Sequence, residues 1–169
     1  MSASDDFLKN NESYAAGFDR GGLEAPPGRQ TAVVACMDAR VNPYGILGLE
    51  EGDCHVIRNA GGVVTSEVIR SLAISQHKLG TREVILIHHT RCGLEGLDRE
   101  DFAAHLDEKT GGAPRDWTIG AFDDVEDSVR QSIARIAESP FIPHKDSIRG
   151  FVYEVETGKL REVTADATG

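Results

Sequence analysis

Two short aliphatic runs limit what this chain can fold into. The first, Thr31-Ala-Val-Val-Ala-Cys36, leads directly into Met37-Asp38-Ala39-Arg40. The second, Glu83-Val-Ile-Leu-Ile-His88, leads into His89-Thr90-Arg91-Cys92-Gly93. Each is β-branched and aliphatic, short, and closed by polar residues, which is how a parallel strand covered on both faces reads. Cys36 and the His89/Cys92 pair therefore stand where two strands finish, and strands that finish together can share a site. Two soft thiolates and one imidazole suit Zn²⁺, with a fourth position left for water, as in a catalytic zinc site.

The segments around these runs frame an α/β fold. A first helix is expected from about Ser4 to Phe18, capped by Ser4, with Asp5 and Asp6 in its first turn and Phe7, Leu8, Tyr14, Ala15 and Phe18 as an apolar stripe. Gly21-Gly22 and Pro26-Pro27-Gly28 separate it from the first strand like a flexible linker. A helix at the end of such a linker needs a surface to lie on, and a second subunit can supply one. After the first strand, Asn42-Pro43 opens a short helical turn through Leu47, and a second strand runs from about Cys54 to Arg58. The turn Asn59-Ala60-Gly61-Gly62 follows, its glycines permitting close backbone approach. A helix from about Thr65 to Leu79, with Val68, Leu72, Ala73 and Leu79 on its buried side, ends at Gly80 and precedes the third strand.

Beyond Gly93, helices are expected from Arg99 to Lys109 and from Asp123 to Glu138, separated by Gly111-Gly112-Ala113-Pro114. Val125, Val129, Ile133 and Ile136 share one face of the second of these. The stretch from Ile148 to Val163 alternates around Glu156-Thr157-Gly158-Lys159 like a hairpin or a pair of edge strands. The whole predicts one domain over residues 1–169, with residues 1–20 as a helical arm. Its core is an open, mostly parallel sheet flanked by helices. With right-handed crossovers and the first and third strands as neighbours, the strand order begins 2-1-3. The switch point then lies between those two strands, at the ends that carry the metal residues.

Composition narrows the function. A formal charge of −10 argues against nucleic acid or an anionic membrane as partner. No stretch approaches a membrane span and no signal peptide is visible, so the cytoplasm is the expected compartment. Three cysteines without a secretory context argue against a disulfide framework. Cys54, at the start of the second strand, reads as a small buried hydrophobe. His88 alternates with His89, and the H-x-x-C spacing favours His89, taken to lie past the strand end. His55, His77, His105 and His144 have no ligand partner in sequence. Arg40 is placed to clamp Asp38 through a bidentate pair, keeping it ionised and turned toward metal-bound water. Alternatively, Asp38 swings onto the metal as a fourth ligand and closes the site. Gly61, Gly62 and Val63 are expected to leave a small apolar substrate pocket.

Cys36-Met-Asp38-Ala-Arg40, Arg58-Asn59-Ala60-Gly61-Gly62 and His89-Thr-Arg-Cys92-Gly93 together resemble the β-class carbonic anhydrases. The likeness runs from the N-terminal helix to Gly158-Lys159-Leu160 and is greatest to the short branch found in bacteria, archaea and some fungi. It implies zinc on Cys36, His89 and Cys92, the Asp38/Arg40 dyad beside the metal, and reversible hydration of carbon dioxide to bicarbonate. It also implies a homodimer or homotetramer in which the N-terminal helix reaches across to its partner. Hydrolysis of carbonyl sulfide or carbon disulfide, with release of hydrogen sulfide, uses the same fold and ligands and is the alternative. Members inhibited by bicarbonate at a second site carry Trp three residues before the first ligand; this chain has Val33 there.

Overall fold

The computed structural model describes residues 2–112 and 118–164. Five strands form one sheet in the order β2-β1-β3-β4-β5, where β1 is Thr31–Cys36, β2 Cys54–Asn59, β3 Glu83–His89, β4 Ile148–Tyr153 and β5 Leu160–Val163. The first four strands are parallel and β5 returns antiparallel to β4. The expected order and C-terminal hairpin are both present. All six residues of β1 are buried, because helices cover both faces of the sheet at its centre.

The helices divide between those faces. On one, Ala32, Val34, Val84 and Leu86 pack against Val68 and Leu72 of α3 (Ser66–Leu79) and Ile136 of α5 (Val125–Glu138). On the other, Val33, Ala35 and Ile87 meet Ile46 and Leu47 of the short helix α2 (Pro43–Leu47). The chain thus leaves β1 on one face and returns to β3 on the other, placing the switch point between them. Helix α5 packs closely over Gly150 in β4: a Cβ there would lie 2.2 Å from Cγ1 of Val129.

Boundaries differ slightly from expectation, for local reasons. Helix α1 spans Ala3–Ala16 and is capped by Ser2, since Ser2 and Asp5 form a reciprocal capping box that outcompetes Ser4. Helix α3 buries Val68 and Leu72 and packs Ala73 against the core as expected, but Ser75 and Gln76 are buried on it as well, while Leu79 is only half-buried. Both polar side chains are satisfied, Ser75 by Thr81 and His55, Gln76 by the backbone of His144. Helix α4 spans Arg99–Thr110, and of the separator after it, Ala113 and Pro114 fall outside the described residues. Among the described residues no helix is long and apolar enough to cross a membrane.

Candidate metal centre

Cys36 ends β1, His89 ends β3, and Cys92 lies in the turn that follows. The structure brings these three together: their Sγ and imidazole nitrogen atoms all lie within 4.8 Å of one another, and all three residues are buried. His89 is the last residue of β3, not a residue past its end, because β4 runs alongside far enough to pair it with Tyr153. Arg91 then adopts φ 56°, the left-handed region that a bulky residue seldom occupies. That reversal carries Cys92 back toward β1.

The imidazole is oriented for ligation. Its Nδ1 donates to the Thr90 carbonyl at 2.9 Å, leaving the lone pair on Nε2. Nε2 is buried with no hydrogen-bond partner among the described residues. An orphaned acceptor beside two thiols is what a metal site leaves when its side chains stand alone. Burial pushes His89 toward neutrality, but Cys36, the Thr90 carbonyl and Asp38 together outweigh it and raise its pKa. The two thiols share a proton. The hydrogen bond from Cys92 is the main cause that draws Cys36 down to about 4, against its burial. The Cys36 thiolate and burial push Cys92 up. A cation among them would release that remaining proton.

Asp38 and Arg40 form the bidentate pair expected. Nε and Nη2 of Arg40 donate to the two Asp38 oxygens at 2.9 and 2.7 Å, and the Arg40 backbone N–H adds a third bond at 2.9 Å. These bonds hold the carboxyl well below the usual carboxylate range. Oδ2 of Asp38 lies 3.7 Å from Nε2 of His89, at the edge of the trio. Nη2 of Arg40 also donates to the Arg91 carbonyl at 2.9 Å, so one guanidinium ties the β1 loop to the β3 loop.

Gly61 and Gly62 are buried against the site. A Cβ on Gly62, which has φ 67°, would lie 2.8 Å from the Cys36 nitrogen and 3.1 Å from the Ile87 carbonyl oxygen. The turn therefore wedges directly under both strand ends. A Cβ on Gly61 would meet Leu94 at 2.8 Å. Val63, Leu94 and Phe122 pack on Cys36 and Cys92 as an apolar wall. Cys54 lies at the other end of the sheet, opposite Thr31. The His88 ring lies 6.1 Å from that of Phe122, and burial pushes its pKa down to about 4, so it stays neutral at ordinary pH.

Sequence reasoning missed three contributors, Arg58, Leu94 and Phe122. Arg58 donates from Nε to the Cys36 carbonyl at 3.0 Å and from Nη2 to the Asp38 carbonyl at 2.8 Å, clamping the first ligand loop from β2. Its place at the head of the Arg58–Gly62 turn was a usable signal. Leu94 and Phe122 are joined through a bridge between Glu95 and Phe122, a pairing that no local pattern announces.

The carbonic anhydrase family profile matches residues 31–105, which include every candidate ligand. The chain is 52% identical over 164 residues to beta-carbonic anhydrase 1 of Mycobacterium tuberculosis, covering 97% of this chain and 99% of that protein. The chain belongs to the β-carbonic anhydrase family. A crystal structure of carbonic anhydrase from Streptococcus mutans superposes with a TM-score of 0.91 at 41% identity, covering 97% of this chain and 99% of that one. A carbon disulfide hydrolase of Acidianus is more distant, at 33% identity over 94% of this chain and 87% of that protein. The family and the fold implied by the three sequence motifs are both established by these likenesses.

Proposed function

We propose that this protein hydrates carbon dioxide reversibly to bicarbonate on a zinc ion held by Cys36, His89 and Cys92. The observation that carries the reading is the partnerless Nε2 of His89, buried between two thiols within 4.8 Å of one another. Three donors of this kind fit zinc, and a three-ligand zinc keeps a position for water. When bound, zinc supplies Lewis acidity that makes a nucleophile of water at mild pH.

The chain's own residues supply the rest. Asp38, ionised by its Arg40 clamp, offers an acceptor at the edge of the trio for a hydrogen bond that orients the attacking water. Arg40 also opposes closure: for Asp38 to become a fourth ligand, it must leave two guanidinium bonds and a backbone bond. Gly61, Gly62 and Val63, with Leu94 and Phe122, provide a short apolar wall suited to a small linear substrate.

Assembly is part of the same reading. Phe7 and Leu8 of α1 are 69% and 68% exposed, and α1 buries none of its residues. An apolar groove of about 800 Å³, lined by Ile69, Ala73, Ile74 and Phe141, is likewise open. A homodimer or homotetramer in which such surfaces cover one another removes both from water. Free thiols at the site suit the reducing cytoplasm.

Carbonyl sulfide and carbon disulfide hydrolysis draws on the same donors and is supported by more distant relatives, carbon disulfide hydrolases such as that of Acidianus. A paired assay separates the two readings. The zinc-loaded protein is expected to accelerate carbon dioxide hydration strongly and to release sulfide from carbonyl sulfide slowly. Hydration at the uncatalysed rate beside rapid sulfide release would transfer the proposal to the sulfur substrate.

A further inference from the structure

A second, smaller cleft of about 180 Å³ lies between the start of α3, the segment before α5 and the first half of α5. Ser128 and Ser132, each 4% exposed, line it from below, and the exposed Arg99, Arg135 and Thr118 stand at its rim. In this acidic chain most arginines face a carboxylate, as Arg20 faces Glu50, Arg70 faces Glu67 and Arg149 faces Glu162. Arg99 and Arg135 have no acidic partner among the described residues. Each is nevertheless tethered: Nη2 of Arg99 donates to the Ala121 carbonyl at 2.8 Å, and Nη2 of Arg135 to Oγ of Ser66 at 3.3 Å. Most of the five donors on each guanidinium are left uncommitted.

Two further features point to an acceptor. The Ser128 hydroxyl, on a residue buried in the cleft floor, makes no hydrogen bond to another described residue. That hydroxyl opens onto the cleft, where it is free to donate to a bound acceptor. Thr65, which caps α3, also lines the cleft and brings the positive end of a 14-residue helix to it. Two guanidinium groups, buried hydroxyls and a helix terminus around so small a volume match one chemistry, that of an oxyanion with several acceptor oxygens.

We propose that this cleft binds a small oxyanion of the bicarbonate or phosphate class, at a site separate from the metal trio. Val63 and Phe122 line the cleft and also pack on Cys36 and Cys92, so the ion sits behind the apolar wall of the candidate active site. The cleft does not depend on the zinc reading, since none of the three candidate ligands lines it.

Thermal unfolding of the full-length, zinc-loaded protein tests the proposal, with bicarbonate, phosphate and sulfate exchanged for chloride at constant ionic strength. The wild type is expected to gain stability saturably with at least one of these anions, and Arg99→Gln with Arg135→Gln to weaken the apparent affinity about tenfold or more. Cys36→Ser should keep the response, which separates this site from the metal. Ser128→Ala gives a second reading, a weaker affinity with helix α5 intact. A response to bicarbonate alone assigns the cleft to the reaction's own product, and a response to all three assigns it to oxyanions at large. No saturable gain, or a gain unchanged in the double arginine variant, or one lost only in Cys36→Ser, would overturn the proposal.

Discussion

Gly62 is the residue on which the geometry of the trio most depends. It sits with φ 67° under the Cys36 nitrogen, the Ala35 carbonyl carbon and the Ile87 carbonyl oxygen. All three neighbours are backbone atoms, which cannot rotate away, so even a methyl group must part β1 from β3. Gly62→Ala is expected to cost roughly 2 kcal/mol or more in urea unfolding and to lower zinc content as well. Unchanged stability and metal content would show that the turn does not set the spacing of Cys36 and His89. The candidate ligands and the Asp38/Arg40 pair were legible in the sequence because each motif is local, within four residues of a strand end. Arg58, Leu94 and Phe122 were not, since they reach the site through strand register and a loop-to-loop bridge that only the folded chain creates.

Elements, not single residues, hold the strand ends in place. Helix α5 lies against β4 with Gly150 beneath Val129 and Ile133, and a Cβ at Gly150 would come within 2.2 Å of the first and 3.0 Å of the second. Gly150→Ala is expected to overpack this contact and cost about 1–3 kcal/mol, read as a lower urea midpoint. Turnover per bound zinc should not change, because Gly150 lies mid-strand on β4 and touches none of the trio. Lost metal in this variant would mean that α5 positions the site more directly than its packing indicates. Aliphatic runs, helical spacing, cap signals and the C-terminal alternation were enough to find the strands and helices among the described residues. What they could not fix was where elements stop. Ser2 and Ser4 both offer a cap, and only the return bond from Asp5 decides between them. His89 looks like a residue past the strand end until Tyr153 of β4 is seen to pair with it.

At the scale of the whole molecule, the isolated chain leaves α1 unsupported. Its ties to the rest of the described chain are polar: the Tyr14 hydroxyl bonds to Glu51, and Arg20, in the segment that follows, to Glu50. Phe7, Leu8, Tyr14 and Phe18 stay exposed, a cost that a second copy removes. Sedimentation is expected to give a dimer or larger species. A protein without residues 1–20 that remained soluble, active and unchanged in its association would remove α1 from the interface, and one that was active as a monomer would remove the need for assembly.

The central claim is that the two strand-end motifs, once brought together, form one catalytic zinc site. Stopped-flow hydration of carbon dioxide by the zinc-loaded wild type, run beside Cys92→Ser under the same conditions, tests it most directly. The account predicts hydration far above the uncatalysed rate for the wild type and a fall to background for Cys92→Ser, with zinc lost in proportion. A fully loaded wild type that does not accelerate hydration, or a Cys92→Ser protein that keeps both its metal and its rate, would contradict it.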